Sequence, residues 1–243
     1  MLYLILFFFV FLFIPHSAYA WGPSVHISVA LSIVEQLDYG NTAIILSNVS
    51  EYLYGSLAPD FILGKKYSSH NKHSHNWQVG FRLLKDAKTD KEMAFAYGYL
   101  THLASDAVAH GIMIPKLTQN TNNKSAKHFY IEIYADAFCD KRYKMLAKKV
   151  LTRYNKKLDN QFKEQVDSVL FSFSVSKILF KGMTKLSFNK RISNMITTDY
   201  FANYFNIQAS TIKGYVGLSR EFSLDVLKNR ESSSVAKINA ISI

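Results

Sequence analysis

Residues 90–110 read DKEMAFAYGYLTHLASDAVAH, and this stretch decides the fold. Tyr97, Leu100, Leu103, Ala107 and Val108 recur through it at helical spacing and cover much of its circumference. A helix this apolar belongs inside a bundle rather than on its surface. Asp90 has the chemistry of an N-cap, so the helix is expected from Lys91 to about His110. Within it His102, Asp106 and His110 are spaced four and four, which stacks them on nearly one face, a turn apart. Gly98, one turn earlier on that face, leaves room for another group to approach. A buried histidine–carboxylate–histidine ladder is costly unless something neutralises it. A divalent cation would do so.

Outward from this helix the chain keeps a helical pattern. Pro23 suits a first turn, and Val25, Val29, Ile33 and Leu37 follow at helical spacing. Gly40-Asn41 is expected to break that helix, with Ile44, Ile45, Val49 and Leu53 marking a second. Residues 55–76 contain Gly55, Pro59, Gly64 and a run of Ser, His and Asn, and read as loop. The polar run 118–124, after Pro115, reads as another. One long helix is expected over about 125–153, then helical pieces around 160–183, 190–205 and 208–229, and a frayed tail at 232–234. Alternating strand patterns are scarce, and four prolines are few for a turn-rich β protein. The expected fold class is all-α: a single multi-helix bundle with a metal cluster between helices.

The N-terminus adds a conditional ligand. Residues 2–14 are apolar without a break, and Pro15 then leads to the small-residue exit Ala18-Tyr19-Ala20. That run is short of the roughly 20 residues needed to span a bilayer. Residues 1–20 are therefore expected to be a signal peptide cleaved after Ala20, with the protein exported to a secreted or periplasmic location. Cleavage would leave a free amine on Trp21 five residues before His26, and an amine, its carbonyl and a nearby imidazole can hold a metal ion. The expected division beyond it is a metal-binding helical core over 21–155 and a basic helical part over 156–243, packed on the same domain.

Composition limits the chemistry. Cys139 is the single cysteine, so no internal disulfide is possible, and stability must come from packing or bound metal. Residues 1–140 carry 10 Lys/Arg against 11 Asp/Glu, whereas 141–243 carry 19 against 7. All eight histidines lie in the first part. The basic second half suggests an anionic partner such as a phospholipid surface, or nucleic acid.

A second helix repeats the ladder motif, with His128 and Glu132 four apart and Asp136 continuing the face. Two helices each presenting imidazole and carboxylate suit a metal cluster inside a bundle. The intervening loop offers Asp60, within Ala58-Pro59-Asp60, and His70, His73 and His75. Nitrogen and carboxylate ligands without thiolate suit zinc. Each feature alone has an ordinary explanation: His128–Glu132 as a surface pair, Asp60 as a turn residue, Cys139 as a packed small side chain.

Together, Trp21-Gly22 with His26, Ala58-Pro59-Asp60, a histidine in the 70–75 loop, His102 with Asp106, His110, and His128 with Glu132 resemble the zinc-dependent phospholipase C family. They resemble more distantly the three-zinc single-strand nucleases. The resemblance spans about residues 21–140. It implies up to three zinc ions: one on Trp21 and His26 with Asp106 bridging, one on Asp60, His75, His102 and Asp106, and one on His110, His128 and Glu132. His75 is preferred to His73 because it directly precedes Asn76-Trp77 and the next helix. Asp60 is implied to orient the attacking water or act as general base. The short gap from Asp106 to His110 is similar to the branch containing glycosylphosphatidylinositol-specific phospholipase D. The implied function is phosphodiester hydrolysis of phospholipids, of C type or D type. The alternatives are a single-strand nuclease, with nucleic acid the less favoured substrate, and a non-catalytic zinc-stabilised membrane-binding protein.

Overall fold

The computed structural model describes residues 21–63, 67–153, 155–167 and 171–240; the expected signal peptide lies outside them. Helix α1 (Pro23–Ile33) opens on Pro23, whose missing N–H costs nothing in a first turn, and runs on as a 3-10 turn at Val34–Gln36. The break expected at Gly40-Asn41 falls earlier. Asp38 accepts the Asn41 backbone N–H at 3.0 Å and caps α2 (Tyr39–Ser47), which takes both residues into its first turn. Asn48 separates α2 from α3 (Val49–Gly55). Among the described residues the 55–76 segment has 3-10 turns at Ala58–Phe61 and His70–Lys72 before Asn76 caps α4 (Trp77–Lys85).

The central helix α5 (Asp90–Val108) is capped by Thr89 rather than Asp90. The Thr89 hydroxyl accepts the Glu92 N–H at 3.3 Å, while the Glu92 carboxylate accepts the Lys88 N–H at 2.7 Å. A π turn at Ala109–Met113 carries α5 into α6 (Ile114–Thr118). The helix expected over 125–153 is two. Asp140 accepts the Arg142 N–H at 2.8 Å and starts α8 (Lys141–Thr152) afresh after α7 (Lys124–Ala137). The segment expected as one piece over 160–183 divides into α9 (Lys156–Gln165) and α10 (Phe173–Ser187). That expected over 190–205 divides into α11 (Lys190–Ile196) and α12 (Asp199–Phe205), and α13 (Ala209–Asn229) follows. The tail is packed rather than frayed: Ser233 and Val235 are buried, and the Trp77 indole donates to the Ile238 carbonyl at 2.8 Å. No strand occurs among the described residues, so the fold is an all-α bundle.

Helix α5 is the axle, with α1, α3, α4 and α13 packed around it. Its contact with α3 is backbone on backbone. A Cβ on Gly98 would lie 1.9 Å from the Tyr52 carbonyl oxygen, and one on Gly55 would lie 2.0 Å from that of Phe95. Only glycine permits this approach. The apolar core fills the remaining space with Tyr52, Phe95, Tyr99, Leu100 and Leu103, all fully buried or nearly so.

A second apolar cluster joins Trp21, Val25 and Val29 to Met113, Tyr130 and Ile131. Here Asp136 departs from its expected place on a metal ladder. Its carboxylate accepts the Ser24 N–H at 2.7 Å and the Val25 N–H at 3.1 Å, and so caps the N-terminus of α1. An anion suits that end of a helix, where backbone N–H groups lack partners. Burial pushes the Asp136 carboxyl up to about 6 despite these hydrogen bonds.

Candidate metal centre

Four elements converge on Asp106. Helix α5 supplies Asp106 and His102, α1 supplies His26, the 3-10 turn at Ala58–Phe61 supplies Asp60, and the segment before α4 supplies His75. One Asp106 oxygen faces His26 Nε2 at 3.5 Å. The other faces His75 Nε2 at 3.0 Å, His102 Nε2 at 3.3 Å and His110 Nε2 at 3.8 Å. Asp60 completes the group, 3.4 Å from His75 Nε2 and 3.9 Å from His102 Nε2. The ligand atoms of Asp60, His75, His102 and Asp106 all lie within 4.8 Å of one another, and all four residues are buried.

The backbone fixes which histidine nitrogen enters the site. His102 Nδ1 lies 3.0 Å from the Ser56 carbonyl oxygen. A carbonyl has no proton to give, so Nδ1 carries the hydrogen and a neutral His102 presents a bare Nε2 lone pair. That lone pair sits 3.1 Å from His75 Nε2 and 3.3 Å from Asp106 Oδ2. The close α3–α5 approach through Gly55 and Gly98 is what brings Ser56 to His102. A backbone partner of this kind commonly orients a metal-bound imidazole.

Electron-rich atoms pointing at one another need a positive charge between them. Burial opposes the charged form of His102, but the Asp106 and Asp60 carboxylates outweigh it and raise its pKa. Burial likewise opposes the anion of Asp106, yet the neighbouring histidines hold it well below the usual carboxylate range. Burial and the nearby His102 push His26 down to about 3, which leaves it neutral and able to donate a lone pair. Among the described residues, neither ring nitrogen of His26 and neither oxygen of Asp106 has a hydrogen-bond partner. A set of imidazole nitrogens and carboxylate oxygens with such unsatisfied lone pairs fits zinc.

The other expected ligands lie around this group. Trp21 is fully buried, and its indole N–H donates to the Ser105 carbonyl at 3.1 Å, one residue from Asp106. The His110 and His128 rings meet edge to face at 5.6 Å between centroids. Glu132 is half-buried one turn further along α7. His73 stays outside the four-residue group; its Nδ1 accepts the His75 backbone N–H at 3.0 Å. His70 is exposed. Three positioning contacts have no signature in the sequence: the carbonyls of Ser56 and Ser105, which any residue could supply, and the π turn that carries His110.

Fold and site together define an all-helical protein with a buried His/Asp cluster able to hold a divalent metal. A family model described as zinc dependent phospholipase C matches residues 25–177, well over half of the chain. The chain belongs to that family. No curated protein and no solved structure matches it.

Proposed function

We propose that this protein is a zinc-dependent phosphodiester hydrolase acting on phospholipids, with phospholipase C-type cleavage favoured over D-type. The observation that carries the reading is the convergence of four histidine Nε2 atoms on the Asp106 carboxylate, with Asp60 beside them. Asp60, His75, His102 and Asp106 would hold one zinc. His26, Asp106 and the Trp21 terminus, freed by cleavage after Ala20, would hold a second. His110, His128 and Glu132 would hold a third. Zinc in such a site supplies Lewis acidity, stabilising negative charge on phosphoryl oxygens and lowering the pKa of water.

The chain's own groups do the rest. Asp60 is buried with its oxygen facing the imidazole edge of the site, where it would take a proton from the attacking water. The Ser56 carbonyl holds the His102 tautomer, and Asp136 holds the start of α1 and with it His26. The basic 141–243 half would draw the protein to anionic lipid after export. The test is zinc-loaded protein beginning at Trp21, assayed against phosphatidylcholine or phosphatidylinositol vesicles and against single-stranded nucleic acid. Release of phosphorylated head group, lost in Asp106→Asn, is the expected result. Cleavage of nucleic acid without lipid hydrolysis would overturn the substrate assignment.

A further inference from the structure

Helix α10 has two unlike faces. Its inner face, with Phe173, Ser176, Phe180 and Thr184, is buried. Phe173 and Phe180 pack on the Phe61 ring at 6.4 and 5.6 Å between centroids, directly after Asp60 in the chain. Lys177, at the edge of that face, pairs with the buried Asp159 at 2.8 Å and lies 5.4 Å from the Phe61 ring centroid. The helix is thus clamped to the turn that carries Asp60.

The outer face is apolar. Val175, Ile178 and Leu179 are 43%, 68% and 41% exposed. Spacings of three and four place them in one stripe. Single exposed apolar residues are ordinary, but a contiguous stripe needs a cover. Charge identifies it. From Asp167 to Asp199 the sequence contains no acidic residue between the two, while Lys181, Lys185, Lys190 and Arg191 are all exposed. An apolar stripe with Lys181 and Lys185 on the same helix, in a stretch of chain without acids, is the pattern of a helix lying in a bilayer interface, its apolar side chains among acyl chains and its lysines at phosphate level. Among the described residues no helix is long and apolar enough to cross a membrane.

We propose that the outer face of α10, centred on Ile178, docks on an anionic bilayer and brings the Asp60 turn to the lipid surface. What docking delivers rests on the phospholipid reading above; the docking itself is measured without catalysis. The experiment is flotation of the zinc-loaded protein with phosphatidylcholine vesicles, with and without phosphatidylserine, beside Ile178→Asp and Leu46→Asp. Leu46 is 58% exposed on α2 and serves as a control of the same chemistry. Binding that needs phosphatidylserine and falls about ten-fold in Ile178→Asp is expected, with Leu46→Asp like wild type and all three unfolding at one temperature. Wild-type binding by Ile178→Asp, or binding indifferent to phosphatidylserine, would overturn the proposal. So would a wild-type dimer in solution that Ile178→Asp dissociates, which would assign the stripe to a second copy of this chain. Flotation that depends on Ile178 in a protein that hydrolyses no lipid would leave docking standing and remove the hydrolase reading alone.

Discussion

Replacing Gly98 with alanine strikes both the bundle and the metal site. The new Cβ would lie 1.9 Å from the Tyr52 carbonyl oxygen and 2.8 Å from the Ser56 nitrogen. Both are backbone atoms of the α3 segment and have no rotamer to turn aside. Restoring an ordinary contact near 3.4 Å from 1.9 Å requires α3 to withdraw by roughly 1.5 Å, in an interior packed too densely to absorb it. Overpacking costs about 1–3 kcal/mol where side chains can adjust, and rigid backbone belongs at or above the top of that range. Alanine returns up to about 1 kcal/mol through helix propensity. A net loss of about 2–3 kcal/mol lowers the unfolding midpoint by about 4–12 °C in a chain of this size. The same withdrawal pulls the Ser56 carbonyl from His102 Nδ1, so zinc affinity should fall by about ten- to a hundred-fold. Thermal unfolding by circular dichroism and zinc competition against a chromogenic chelator read the two effects. Gly214→Ala on α13 is the internal control: nothing lies within 4 Å of its Cβ, so it should melt at or slightly above the wild-type temperature. A Gly98→Ala protein that melts like wild type and binds zinc equally well would refute the reasoning.

Three further outcomes follow from buried groups. The Asp136 carboxyl rises from 3.8 to about 6 in the fold, so its contribution to stability is fully present below 3.8 and is lost as pH rises through about 6. Asp136→Asn should remove this slope, shifting the wild-type-minus-variant stability by about 3 kcal/mol between about pH 4 and 7, and parallel urea-unfolding profiles would speak against it. Lys177→Ala leaves the buried Asp159 without its cation and should cost about 3–5 kcal/mol, read from chemical denaturation. Trp21→Phe removes one of two donors to the Ser105 carbonyl, which keeps the Ala109 backbone N–H, and should cost about 0.5–1.5 kcal/mol; a variant as stable as wild type would show that the indole does not anchor the chain start.

The fold and the heart of the site were legible where local rules decide them. The four-and-four spacing of His102, Asp106 and His110 is a local property of one helix and the turn that continues it, and the structure keeps both histidines beside one Asp106 oxygen. The approach expected at Gly98 is made by the α3 backbone. Helix breaks were less legible because Asp38 and Asp140 act as caps only once the chain has chosen which turn to end. Asp136 shares the face of His128 and Glu132 by spacing, yet it serves α1, more than a hundred residues earlier in the chain. No local pattern reports that pairing. The packed tail was hidden for the same reason: its serines look like linker, but the Trp77 indole reaches it from α4.

Zinc K-edge absorption, with metal content on the same sample, tests the central assignment most directly. Protein beginning at Trp21 should retain zinc through gel filtration and show a shell of nitrogen and oxygen at about 2.0–2.1 Å, with imidazole scattering and no sulfur. Asp106→Asn should lose at least one equivalent of zinc. A protein that emerges without zinc, or an Asp106→Asn variant with the full wild-type complement, would contradict a cluster built on Asp60, His75, His102 and Asp106.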